Sequence, residues 1–348
     1  MKRSRIASML LAAAISVMGL TACSGGNNGG TTNDNVNVGG DSGSVSADSY
    51  KVGIVQFGSH PSLDNCYQGI EEALKASAIA DKLDIDLQNG NFDSATCDTI
   101  AKNMVAKEYD IIFAIATPAA VSAYSAAANS DIPVVFCAVS DPIAAGIVDD
   151  MDAPGGNCTG TADELNFNDQ IDLIKALQPD VKNIGVLYTT SEANSVSHLS
   201  KFREIASSKG IEVVDQGVQG AADIPQAAAA LAPKVDCINN FTDNNVVASL
   251  TVVLEQANAA GIPVYGSEVE QVSNGCIASI SIDYVALGKA TGDLGIRILG
   301  GESAGTIPVV RFSEGTPVVN TEVMEKFGIA LPDAYANADK VTTNKAES

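Results

Sequence analysis

Three short apolar runs each end in an Xaa-Pro pair: His60-Pro61, Thr117-Pro118 and Asp141-Pro142. The middle one reads "DIIFAIATPAAVSA" from Asp110, a buried strand passing into an Ala-rich helix. Proline is favoured in the first turn of a helix, where its missing N–H costs nothing. The residue before it is pushed out of the α region, as an N-cap requires. The pattern predicts Thr117 as N-cap and Pro118 as the first helical residue, with the amides of Ala119 and Ala120 open beside small side chains. Such amides with a hydroxyl alongside make an anion site suited to a carboxylate. Simple capping by Thr117 is the competing reading.

Later loops carry groups of the complementary kind. "TTSEANS" (Thr189–Ser195) holds hydroxyls with Glu192 and Asn194, and "FTDNN" holds Thr242, Asp243 and Asn244. "GSEVE" holds Ser267 and Glu268, and "SIDY" holds Asp283. Carboxylates here can accept an α-ammonium, although Ser, Asp and Asn also start helices for their own sake. His60, one of two histidines, either meets a ligand or packs in its turn. His198 falls in an amphipathic helical pattern and is expected at the surface. Phe57, Tyr188, Phe241, Tyr265 and Tyr284 stand at or near strand ends, as an apolar wall for a guest or as core.

The chemistry in view is noncovalent. GxSxG, HExxH, Walker A and a GxGxxG following a strand are all missing from the sequence. No CxxC and no Cys/His cluster of zinc spacing occurs, so neither metal nor cofactor is expected. Cys137, Cys158, Cys237 and Cys276 lie in apolar runs and read as small buried hydrophobes. Cys66 and Cys97 lie near the starts of successive helices, where a disulfide is open.

The elements that must position these loops come in two matching sets. "KVGIVQFGSHPSLDNC" from Lys51 parallels "NIGVLYTTSEANSVSH" from Asn183. The stretches from Tyr109, Asp131 and Gly155 parallel those from Val235, Gly261 and Ser273, in the same order. Continuous Val/Ile-rich runs are strands covered on both faces, as in parallel sheets. Ile70, Leu74 and Ile79, and Ile171, Ile174 and Leu177, keep helical spacing between them. The fold class is therefore α/β, with two doubly wound, Rossmann-like lobes joined by a hinge. Ligands of such sheets sit at the carboxyl ends of the strands, so two facing lobes enclose one cleft. Chain crossings are expected near Thr161–Leu165 and near Asp283. The expected first lobe spans 50–162 with about 285–312, and the second spans 163–284 with about 313–340.

Ahead of the lobes, residues 1–22 read as a leader. "MKRSR" is basic, and Ile6 to Leu20 is apolar but short for a bilayer span. "LTAC" (Leu20–Cys23) resembles a bacterial lipobox, which makes Cys23 a lipidation site. Residues 23–49 then form a Gly/Ser/Asn/Asp tether with little to bury. Such a chain is anchored to the extracytoplasmic face of a membrane by lipid alone. Loss of Lys2, Arg3 and Arg5 with the leader takes the net charge from −22 to −25. That acidity makes nucleic acid a poor partner.

"GIVQFGSHPSLD", "IIFAIATPAAVSA", "IPVVFCAVSDPIAAGIV", "PGGNCTGTAD", "IGVLYTTSEANS" and "SIDYVALGKATG" together resemble the substrate-binding lipoproteins of ABC importers. Within them the likeness is to the subfamily that includes tryptophan- and tyrosine-associated binding proteins. It covers about Lys51 to Ala336. The resemblance implies a periplasmic-binding-protein type I fold, a monomer, and delivery of an amino acid, often aromatic, to a permease with an ATPase partner. It implies a site of Ser59, His60, Thr117, Pro118, Ala119, Asp141, Ser191, Glu192, Asn194, Ser195, Thr242, Asp243, Asn244, Ser267 and Asp283. Ser59 departs from the pattern, since many relatives carry an acidic residue before the His-Pro. Cys137 and Cys158 stand where Thr and Val are common. A sugar or nucleoside ligand, or a receptor role for a sensor kinase, are the alternatives that the residues leave open.

Overall fold

In the computed structural model, residues 49–344 are described. The leader, Cys23 and residues 24–48 of the tether lie outside them. The chain makes thirteen strands among the described residues: β1 (Tyr50–Gln56), β2 (Leu83–Asn89), β3 (Ile111–Ile115), β4 (Val134–Cys137), β5 (Cys158–Asp163), β6 (Asn183–Thr189), β7 (Glu212–Val218), β8 (Cys237–Asn239), β9 (Val264–Tyr265), β10 (Ala278–Ser281), β11 (Val310–Phe312), β12 (Thr316–Asn320) and β13 (Asp339–Val341). The α-helices are α1 (Pro61–Ala76), α2 (Ser94–Ala106), α3 (Thr117–Ala127), α4 (Phe167–Leu177), α5 (Ala193–Ser208), α6 (Ile224–Leu231), α7 (Asn244–Ala248), α8 (Leu250–Ala260), α9 (Val269–Ser273), α10 (Tyr284–Leu299) and α11 (Thr321–Phe327).

Central strands such as β3 and β4 are buried at every residue, and such strands need helices on both faces. The first sheet runs β11-β5-β4-β3-β1-β2, parallel throughout, with Val52 beside both Ile85 and Ile111. The second starts in the same order, β7-β6-β8-β9, also parallel. Bonds from Ile277 N to Val264 O (2.7 Å) and from Gly266 N to Ala278 O (2.9 Å) carry it on to β10. There β12 joins antiparallel and β13 parallel. The repeated order matches the internal sequence similarity strand for strand. The chain passes between the sheets after β5, after β10 and after β11.

Each sheet has its own core. Val52, Ile112, Phe113 and Phe136 pack with Leu287 and Ile298 of α10, so α10 belongs with the first sheet. In the second, Ile184 and Val186 face one apolar cluster and Leu187 faces another. His198 corrects the surface expectation. It is buried on α5 between Phe167 and Phe241, ring centroids 5.4 and 5.6 Å away. Burial lowers its pKa to about 3, so the ring is neutral. The aromatic neighbours, scattered in sequence, outweigh the polarity of the imidazole. Cys66 and Cys97 are both free and buried. Cys66 lies on α1, which packs on α10, and Cys97 on α2, which packs on α3. Helix α1 stops at Ala76, short of Ile79.

The α1–α10 contact is what fixes the start of α1 at the cleft. It is close because glycines meet there: a Cβ on Gly288 would lie 2.2 Å from the Cys66 carbonyl oxygen, and one on Gly69 2.2 Å from that of Val285. Backbone cannot give way as a flexible side chain can. We expect Gly288→Ala to lower the unfolding free energy by about 1–3 kcal/mol, measured by urea denaturation, with a matching loss if Gly69→Ala is made instead.

Candidate ligand-binding cleft

The carboxyl ends of β3 and β4 are bent in an unusual way. Ala116 has φ 77° and ψ 155°, and Ala138 has φ 56°. Residues with a Cβ avoid positive φ, and such strain gathers at functional sites. Ala116 occupies the N-cap position of α3 and has no capping side chain. The expected cap, Thr117, is instead the first helical residue, with Pro118 second. This corrects the sequence reading by one position. The Ala120 amide donates to the Ala116 carbonyl at 3.0 Å, which leaves the Ala119 amide to the open first turn. Relieved of capping, the buried Thr117 hydroxyl has no partner.

Ala116, Thr117 and Ala138 line a cavity between the two sheets, together with Ser140, Asp163 and Tyr284 of the first lobe. His60, at the N-cap of α1, and Leu63 complete that wall, and Asn194, Thr242, Asn244 and Glu268 form the wall from the second lobe. The cavity holds about 260 Å³ of space between atoms, of which about 10 Å³ admits a water centre. Side chains therefore press on it closely, and a guest requires the lobes to part. Two larger recesses, open to solvent, flank Phe92: about 1170 Å³ of space between atoms beside Ser59, Pro61 and Glu270, and about 1160 Å³ beside Pro118, Ser191 and Asn245.

Polar atoms without partners converge here. Besides the Thr117 hydroxyl they are Thr242 Oγ1, Asn194 Oδ1 and His60 Nδ1. Buried polar groups are otherwise satisfied as a rule, so four at one cavity point to a polar guest. The hydroxyls can donate to an anion. The amide oxygen can accept from a cation, as can the imidazole, kept neutral by burial with its pKa lowered to about 4.

Charge at the cavity is carried by acids alone. Asp163 accepts from Ser140 Oγ at 2.9 Å and Tyr284 OH at 3.0 Å. Burial raises its pKa to about 6. Glu268, raised to about 8 chiefly by burial and then by Glu270, accepts from Gln271 Nε2 at 3.0 Å. At neutral pH the first is ionised and the second holds its proton. No Lys or Arg is among the lining residues. The arrangement asks for one cationic group on the guest.

The other expected site residues are placed as follows. Glu192, its pKa raised to about 8 by burial and then by Asp243, accepts from Asn244 Nδ2 (2.6 Å) and Asn245 Nδ2 (2.9 Å). Asp243 accepts from Thr189 N and Oγ1 and from Ser195 Oγ (2.5, 2.9 and 2.7 Å). Neither acid lines the cavity; both brace the loops that do, and Glu192 also lines the recess beside Pro118. Asn244 Oδ1 reaches His60 Nε2 across the lobes at 3.4 Å. Ser267 donates to the Asn240 carbonyl at 2.7 Å. Ser59 is exposed and donates to Asp64, 2.9 Å to Oδ1 and 3.1 Å to Oδ2. Ser191 and Pro118 line an outer recess, and Ala119 is buried. Asp283 is an exposed N-cap of α10, accepting from Val285 N (3.0 Å) and Ala286 N (2.9 Å). Asp141 bonds to the opposite lobe rather than lining the cavity. Sequence reasoning passed over Asp163, Ser140 and Ala138. Asp163 ends the strand run "CTGTAD", and a charge closing a buried strand was the available signal.

Fold and cleft define a two-lobed solute-binding protein. The model of the family described as ABC transporter substrate binding protein matches residues 51–342, and the chain belongs to that family, whose members bind solutes outside the cytoplasm. It is 36% identical to a tyrosine-binding protein of Clostridioides difficile over 99% of this chain and 97% of the relative. Among solved structures it is similar to a Streptococcus pneumonia ABC domain in complex with L-Trp, at 36% identity and TM-score 0.82, covering 84% of this chain and 99% of that one. The ligand-free, open structure of a Clostridium difficile substrate-binding protein, also 36% identical, gives a TM-score of 0.65, covering 85% of this chain and 100% of that one.

Asp163 yields a prediction in two parts. Its folded pKa, about 6, lies above the ordinary aspartate value of 3.8. Folding therefore bears no cost from it well below pH 4 and the full cost above about pH 6, on the order of 3 kcal/mol. Asp163→Asn should raise the Tm at pH 8 and leave it unchanged near pH 3.5. The same substitution should weaken binding of a cationic or zwitterionic ligand by about 10- to 100-fold, read by calorimetry.

Proposed function

We propose that the cleft captures a free α-amino acid, aromatic by preference, and that lobe closure presents it to an ABC permease. The observation that carries this is the buried Asp163 carboxylate, facing a cavity whose lining has no cation and whose opposite requirement, an anion, is met by the hydroxyls of Thr117 and Thr242 and the start of α3. A zwitterion answers both. The named ligands of the two relatives, tyrosine and L-Trp, support the choice. An aromatic side chain reaches from the cavity toward the recesses beside Phe92. The ligand's preference for the closed arrangement drives the motion. The closed form is what the permease recognises, and its ATPase partner powers transport. The chain acts as a monomer, without catalysis, on a lipid tether at Cys23.

Calorimetry with L-tryptophan, L-tyrosine, tryptamine and indole-3-propionate tests the ligand class. Removing the carboxylate or the ammonium should each cost about 10- to 100-fold or more in affinity. Stabilisation by a pentose or a nucleoside, and by no amino acid, would sink the proposal. For the anchor, Cys23→Ser should move the protein from the membrane fraction to the medium or periplasm, followed by immunoblot.

A further inference from the structure

Closure brings together groups that touch no ligand cavity. Asp141 follows β4 directly after Ser140, which lines the cavity and bonds to Asp163. Asp141 Oδ1 accepts from the Ala144 amide of its own loop at 3.0 Å, which fixes the carboxylate. Its Oδ2 faces the other lobe and accepts from Ser197 Oγ at 2.5 Å and Lys201 Nζ at 2.7 Å. Both donors lie on α5, four residues apart and so on one face of that helix. We propose that Asp141 is a closure latch: with Ser197 and Lys201 it holds the lobes together and sets how long a ligand stays, without contacting it.

Three features set this contact apart from an ordinary surface ion pair. The carboxylate is oriented in advance, so little freedom is lost when the lobes meet. It receives two donors on one oxygen, one of them charged. Its place in the chain, one residue from the cavity wall, ties latch and ligand to the same loop. Other bonds cross between the lobes, His60 to Asn244 within the cavity and Glu270 of α9 accepting from Asn65 Nδ2 of α1 at 2.6 Å at the rim of the cleft, but neither includes a cation.

A latch outside the cavity shifts the closed population and nothing else, so every ligand loses affinity by one factor. The inference rests on the closure reading above, with the amino acids serving as probes. Asp141→Asn keeps an oxygen for the Ala144 amide, and Lys201→Gln changes an exposed side chain, so both should fold. In stopped-flow experiments each should raise the dissociation rate of L-tyrosine and of L-tryptophan by the same factor, about three- to tenfold. Association rates should be unchanged, and the double variant no worse than the single ones. Unaltered dissociation, or unequal effects on the two amino acids, overturns the latch. Spin labels at Lys102→Cys and Glu212→Cys, one per lobe, give a readout that needs no ligand. Asp141→Asn should shift the inter-lobe distances toward longer values, and superimposable distributions overturn the proposal. If neither amino acid binds the unaltered protein, the ligand class fails and the distances still decide the latch.

Discussion

A carboxylate buried without a cation is the constraint on which the rest of the cleft turns. Asp163 has two hydroxyl donors, from Ser140 and Tyr284, and these ease but do not cancel the cost of burial, as its raised pKa records. The fold tolerates that cost because the strand bearing Asp163 is locked between β4 and β11. An isolated buried charge is poor for stability and useful for recognition. It leaves an electrostatic demand that only a guest can meet. Glu268 on the facing wall, protonated at neutral pH, keeps that demand to a single positive charge.

The strained alanines serve the same end. At the ends of β3 and β4 a glycine would relax the backbone, and a larger side chain would fill the cavity. Alanine at φ 77° and φ 56° keeps the turns tight and rigid while leaving room. Because Ala116 takes the cap position, the Thr117 hydroxyl is not used for the helix start. A shift of one residue in the helix boundary thus frees the hydroxyl from capping and leaves it without a partner at the cavity wall.

Much of this was legible in the sequence. The two lobes could be read because Val/Ile runs, Xaa-Pro junctions and the repeated order of pieces are all local signals. So was the cluster of loops that meets at the strand ends. What could not be read was which atom of each loop faces inward. Glu192 and Asp243 have the right chemistry for a ligand and are engaged by Asn244, Asn245, Thr189 and Ser195 instead. Asp283 and Asp141 stand beside the same junctions, yet one caps α10 and the other crosses to α5. Such choices depend on φ, ψ and neighbours distant in sequence. The burial of His198 between two phenylalanines is of that kind, since Phe167 and Phe241 lie on other elements.

The two lobes, alike in topology, divide the work unequally. The first carries the ionised acid, the helix start and the strained turns. The second faces the cavity with groups uncharged at neutral pH, Asn194, Thr242, Asn244 and the protonated Glu268, and uses Glu192 and Asp243 as supports. Glu192 orients the Asn244 amide so that its oxygen points to His60, which fixes Nε2 as the protonated nitrogen of that ring. On the proposed reading, a ligand's charges are answered mainly by one lobe, where a site can form before closure. The other adds hydrogen bonds that are made only when the halves meet. Separating charge recognition from closure lets affinity be adjusted at the contacts between lobes without redesigning the groups that choose the ligand.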